Sequence, residues 1–143
     1  MKTVRQLLAL KGNEVISVAP DSNVFEALQL MARREIGAVL VVESGRLVGI
    51  MSERDYARKV ILQGRSSSDT PVAQIMSSPV LTVTPHDTAQ TCMQIMTERK
   101  IRHLPVLDDD GVVVGLVSIG DLVKAVIEDQ REEIDQLQRY IAS

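Results

Sequence analysis

The chain has 143 residues, with 16 basic against 19 acidic side chains and a formal net charge of −3. So balanced a charge gives no general reason to expect nucleic acid or an anionic membrane as partner, and 2% aromatic content removes the stacking platforms that single-strand binding uses. The single cysteine, Cys92, excludes an intramolecular disulfide and fits a reducing, cytoplasmic setting, and no apolar run reaches the length of a membrane span.

The opening MKTVRQLLALKG has a short apolar run interrupted by Gln6 and Lys11, with no small-residue cleavage site after it. It predicts a short amphipathic helix rather than a signal peptide. VISVAP, residues 15–20, predicts an extended entry segment ending at proline. A helix follows that Asp21 or Ser22 can cap, with Val24, Ala27, Leu28 and Met31 spaced as one core face. AVLVV and RLVGIM, joined by a glycine-containing turn, predict a hairpin, and a further helix starts at Ser52. Gln63–Thr70, QGRSSSDT, is polar and predicts a flexible linker. TPVAQIM then supplies a second short leading helix.

From residue 80 the pattern returns. VLTVTP stands for VISVAP, Asp87 for the cap, and Ala89, Cys92, Met93 and Met96 for the stripe. LPVL and VVVGLV stand for the hairpin, and Ser118 opens the last helix. Roughly a third of the paired positions are identical when Val15 is laid on Val80 with one gap at the turn. The fold expected is α/β (α+β), two β-α-β-β-α repeats flanked by helices: residues 1–64 with the N-terminal helix, a linker at 65–70, a second repeat at 71–128 and a C-terminal helix at 129–143. In that last helix Ile127, Ile134 and Ile141 fall seven apart with Leu137 between, the seam of a short coiled coil. It is expected to pack on a partner or on the N-terminal helix.

The most repeated stretches are GIMSERDYARKVI at residues 49–61 and GLVSIGDLVKAVI at 115–127. With IRHLPVLDDDGVVVG, the IMSSPVLTVTP entry and the doubling itself, they resemble a tandem pair of cystathionine-β-synthase-type (CBS) domains, over nearly the whole chain. MKTVRQLL, SERDYARKVI and RHLPVLDDDG are similar to small stand-alone members from bacteria and plant organelles. The resemblance implies two units packed as a pseudo-twofold pair, with two clefts between them for adenosine-containing ligands, and a homodimer.

Ser52-x-x-Asp55 and Ser118-x-x-Asp121 each read alone as a capping box. A serine at a strand-to-helix turn, beside free N–H groups at a positive helix end, can also hold phosphate. An acid one turn in repels phosphate but accepts two hydrogen bonds from a ribose diol. The resemblance implies the same roles. It also implies that Arg102 and His103 reach the phosphates, which a guanidinium suits by binding two oxygens at once. The alternative for this pair is a strand edge guarded by charge. The first repeat carries Gly37 and Ala38 there instead, so the two sites are expected to differ. Arg54 adds positive charge to the first site; Arg58 and Lys59 are read as a solvated helix face. An adenine slot needs apolar walls with backbone groups at its edge. Val18, Met76, Val80 and Val83, closed by Ile36 and Ile101, are the candidates, although each is a core residue by default.

The two histidines, His86 and His103, lie in no cluster at metal spacing, no Walker loop or G-x-G-x-x-G occurs, and no triad can be assigned. Cys92 lies on an apolar stripe and reads as packing. The expectation is a non-catalytic sensor of AMP, ATP or NAD, a homodimer read by an unknown protein partner. The alternative is a ligand-independent interaction module working through its dimer and C-terminal helix.

Overall fold

The computed structural model describes residues 2–12 and 14–142. Thr3 opens helix α1 (Val4–Lys11) with a capping box: its hydroxyl accepts the Gln6 N–H at 3.3 Å and Gln6 Oε1 accepts the Thr3 N–H at 2.9 Å. Strand β1 is only Ser17–Val18 and runs parallel to β2 (Ala38–Glu43), which pairs antiparallel with β3 (Arg46–Ser52). The turn between them works because Ser44 and Gly45 both take positive φ, as a two-residue hairpin requires. Helix α2 (Val24–Arg34) buries Val24, Ala27 and Met31 of the expected stripe and half-buries its fourth member, Leu28.

The second repeat matches with α4 (Ala89–Arg99), β4 (His103–Leu107) and β5 (Val113–Ser118). Its hairpin turn is longer, and the Asp108 carboxylate holds it by accepting the Asp110 and Val112 N–H groups, each at 2.9 Å. The entry segment forms no strand here and touches the sheet only through Val83, bridged parallel to Val106.

Four local expectations need correction. The helix caps are Asn23 and Thr88, not Asp21, Ser22 or Asp87; Asp87 instead accepts the Thr84 N–H at 2.7 Å and closes the preceding turn. The helix after Ser52 is one α-turn, α3 (Glu53–Tyr56), continued as a π-turn over Ala57–Ile61, where the Leu62 N–H reaches back five residues to Ala57 O. The polar stretch before Pro71 is not a loose linker. Thr70 is buried, and the carbonyls of Thr70 and Ser67 accept the otherwise unpaired N–H groups of Val24 and Phe25. The final helix α5 (Ile119–Ala142) runs unbroken through the boundary expected at 129.

Compactness divides the described chain differently from the repeats. Residues 14–81 form one unit and residues 2–12 with 82–142 form the other. Each repeat is completed by the short helical segment that precedes its sibling. In the terminal unit α1 sinks Val4, Leu7 and Leu8 into the core of Cys92, Met96, Leu104, Val106 and Leu122. In the central unit a 3₁₀ turn (Val72–Gln74) sets Val72 and Ile75 among Val24, Val39, Val41, Met51 and Val60. The same backbone exchange stitches both: Val4 N–H to Asp87 O with Ala89 N–H to Lys2 O, and Val24 N–H to Thr70 O with Val72 N–H to Ser22 O.

Those segments explain the glycine that opens each repeated motif. A Cβ on Gly115 would lie 2.6 Å from Leu8 Cδ2, and one on Gly49 would lie 2.5 Å from Met76 Sδ. The strand must be bare where the segment crosses it.

Candidate functional site

In each unit the antiparallel register sets the end of one strand against the start of the last helix. Ala38 pairs with Ser52 and His103 with Ser118. The carbonyls of Gly37 and Arg102 accept the first helical N–H, from Glu53 at 3.0 Å and Ile119 at 2.9 Å. The structure therefore brings Gly37 and Ala38 to Ser52 and Asp55, and Arg102 and His103 to Ser118 and Asp121.

Both Ser-x-x-Asp pairs form the box. Asp55 Oδ2 accepts the Ser52 N–H at 2.9 Å and its hydroxyl at 3.0 Å, and Asp121 Oδ2 accepts the Ser118 N–H at 2.9 Å. The serine hydroxyls accept the Asp55 and Asp121 N–H groups in return. The helix starts therefore offer fewer free donors than expected. The first and third N–H groups are taken inside the chain.

Each acid also meets a lysine that the repeat pattern does not single out. Lys59 Nζ lies 3.1 Å from Asp55 Oδ1 and donates to Ile75 O at 3.0 Å. The Ser77 hydroxyl adds a bond to Asp55 Oδ1 at 3.1 Å. Asp55 is thus buried with both oxygens doubly engaged, and Lys59 is an ion-pair partner rather than a solvated face. Its signal was readable, because Asp55 and Lys59 stand four apart on a helix. In the terminal unit Lys11, from the end of α1, donates to Asp121 Oδ2 at 2.8 Å and to Leu116 O at 2.7 Å. No local sequence signal pairs residues so far apart. Asp121 Oδ1 has no donor among the described residues.

Burial alone would raise the Asp121 pKa, but hydrogen bonds from Lys11 and Ser118 outweigh it and hold the carboxyl below its ordinary range. Burial, then the Lys11 charge, pushes His103 down despite Asp121, so its imidazole is neutral at pH 7. Burial lifts the Cys92 thiol to about 11, which makes it an inert packing group.

Among the remaining candidates, Arg54 and Arg102 are exposed, as is Arg58. Val18, Ile36 and Met76 pack against the central core and Ile101 against the terminal one. Val80 is half-buried. Val83 has a buried side chain, its N–H donates to Pro105 O and its carbonyl accepts the Leu107 N–H, so its backbone groups are already used inside the chain. Among the described residues no cluster of metal-ligating side chains occurs, and no helix is long and apolar enough to cross a membrane.

Comparison with known proteins agrees with this architecture. The family model for the CBS domain matches residues 8–61 and 72–128. The CBS domain-containing protein CBSX3, mitochondrial, of Arabidopsis thaliana is 46% identical, over 97% of this chain and 71% of its own. The crystal structure of the CBS domain NE2398 superposes with a TM-score of 0.84 at 50% identity, covering 88% of this chain and 98% of that one. Two further structures hold ligands. The CBS domain protein PAE2072 from Pyrobaculum aerophilum, complexed with AMP, is 26% identical with a TM-score of 0.75, covering 84% of this chain and 89% of that one. The CBS domain pair of protein MJ0100, in complex with 5′-methylthioadenosine and S-adenosyl-L-methionine, is 25% identical with a TM-score of 0.78, covering 87% and 99%.

Proposed function

The chain belongs to the CBS-domain family, and on that premise we propose that it is a non-catalytic sensor of adenosine nucleotides, AMP, ATP or NAD, that transmits their level to a protein partner. The observation that carries this reading is the doubled placement of an aspartate at a strand-to-helix turn. A ribose diol donates two hydrogen bonds, and an aspartate at such a turn is built to accept them. Similar pairs bind AMP, S-adenosyl-L-methionine and 5′-methylthioadenosine, ligands that share the adenosine portion. Arg102, beside Asp121, suits a phosphate; Gly37 and Ala38, beside Asp55, suit a bulkier or less charged ligand. Asp121, with an open oxygen, is the readier of the two acids. Asp55 must first release Ser77 or Lys59. A reducing aqueous compartment such as the cytoplasm suits the free Cys92.

The test is calorimetric titration, with a thermal-shift panel, of AMP, ADP, ATP, NAD, NADH, S-adenosylmethionine and GTP against protein free of carried-over nucleotide. A ligand that binds only the folded chain raises the melting temperature by mass action. Binding confined to the adenosine compounds supports the sensor, and their ranking names the signal. No binding by any of them overturns it.

The second reading, an interaction module, is favoured by one feature. On α5, Ile134, Leu137 and Ile141 remain exposed along one stripe. A homodimer joined along this stripe is compatible with either reading.

A further inference from the structure

We infer that Lys11 sets the choice between phosphorylated and unphosphorylated nucleosides at Asp121, an inference that rests on the nucleotide reading above. Lys11 belongs to neither repeated motif. It stands at the last position of α1, and its ammonium bridges two groups of the second repeat, Asp121 Oδ2 at 2.8 Å and Leu116 O at 2.7 Å. Its side chain is 38% exposed and that of Asp121 25%, so the pair lies at a surface that a solute can reach. The same Oδ2 already takes the Ser118 N–H. A ribose diol that uses both oxygens of Asp121 therefore competes with Lys11 for Oδ2.

The consequence depends on what else the ligand carries. An uncharged nucleoside takes the carboxylate from the ammonium and returns nothing but a hydroxyl dipole. Lys11 then keeps only Leu116 O and solvent. A nucleotide brings its own anion. The ammonium exchanges a carboxylate for a phosphate, a comparable charge-assisted bond, and stays paired throughout. His103 supplies less of this compensation, because burial and the Lys11 charge disfavour its charged form. Arg102 is exposed, so a bond it makes to the phosphate lies at the surface and is weakened by salt more than one from a half-buried group. Lys11 is thus a counter-charge whose partner changes on binding, and the changeover costs a neutral ligand more than a charged one. In the central unit the matching ammonium, Lys59, comes from the same helix as its acid and is shared with Ile75 O, so the two acids gain an ammonium from unrelated positions.

The experiment is a titration of ¹⁵N-labelled full-length protein with adenosine and with AMP, following the amide resonances of Ser118 to Asp121 so that this site is read separately. It compares wild type, Lys11→Met and Lys11→Arg. Wild type is expected to prefer AMP, and Lys11→Met to lose roughly ten- to hundredfold of that preference, the scale of one charge-assisted hydrogen bond. The loss should fall on AMP, with adenosine binding unchanged or tighter, and Lys11→Arg should restore the preference. A merely structural Lys11 would weaken both ligands alike, and the melting temperature of each variant reports folding directly. An AMP-to-adenosine ratio in Lys11→Met equal to that of wild type overturns the inference while leaving the nucleotide reading standing. Unmoved resonances with both ligands in wild type overturn both.

Discussion

Gly115 has no side chain because Leu8 occupies the space where one would begin. Gly115→Ala places a methyl 2.6 Å from Leu8 Cδ2 and forces the Leu8 side chain, or the helix that carries it, to shift. Overpacking of this kind costs about 1–3 kcal/mol, which urea denaturation will show. Leu8→Ala empties the same space and costs about 2–5 kcal/mol alone. Because the two residues share one contact, the double variant should lose less than the sum, with a coupling of at least about 0.5 kcal/mol; strict additivity would break the link between the glycine and the segment. The Asp121 carboxylate carries its own pH signature. Its folded pKa lies below the unfolded value near 3.8, so its contribution is fully present above about pH 4 and is lost as pH falls through the folded pKa. The stability gap between wild type and Asp121→Asn should hold from pH 7 to about 4.5 and narrow below. The residues with a repeated neighbourhood, Ser52, Asp55, Ser118 and Asp121, were legible in the sequence because duplication marks them. Lys11 was not, because its partner lies more than a hundred positions away and no periodicity links them.

At the scale of elements, amphipathic spacing carried the reading. The stripes of α2 and α4 face the cores as expected, since a helix with one apolar face has one way to bury it. Caps were misplaced by one or two residues because Asp21, Ser22, Asn23 and Asp87, Thr88 are all competent acceptors, and only the tertiary position of the first turn chooses among them. The π-turn after Tyr56 was not legible, since no local preference distinguishes it from α-helix. The end of α5 presents the reverse case, an amphipathic stripe that the described residues leave exposed. Every described residue from Gln130 onward is exposed, with Ile134 at 53% and Leu137 at 61%. Lys2 ties the helix down only as far as Glu128 and Asp129. Changing Ile134 and Leu137 together to Asp should leave the melting temperature of dilute protein nearly unchanged, within the roughly 0.5 kcal/mol typical of surface positions. The same change should reduce any dimer seen by sedimentation to monomer. An intact dimer in the variant would move the association surface elsewhere.

At the scale of the molecule, what the sequence reading missed is which segment completes which repeat. Counting elements in order assigns α1 to the first repeat and the Val72–Gln74 turn to the second. Each instead seats its apolar residues in the other unit, and nothing local in MKTVRQLL or TPVAQIM records that choice. The exchange has a consequence for folding that a repeat boundary would not predict. A chain of residues 14–81 contains α2, the three-stranded sheet and the segment carrying Val72 and Ile75, so its core is complete. A chain of residues 1–64 keeps α1, whose Val4, Leu7 and Leu8 have no core there to enter, and lacks Val72 and Ile75, both wholly buried in the full chain. Emptying two such positions costs about 2–5 kcal/mol for an isoleucine alone, a large share of what a small domain has. The 14–81 chain should therefore melt cooperatively by circular dichroism and give dispersed amide resonances, and the 1–64 chain should do neither. The opposite result would mean that the repeat, and not the exchanged unit, is what folds.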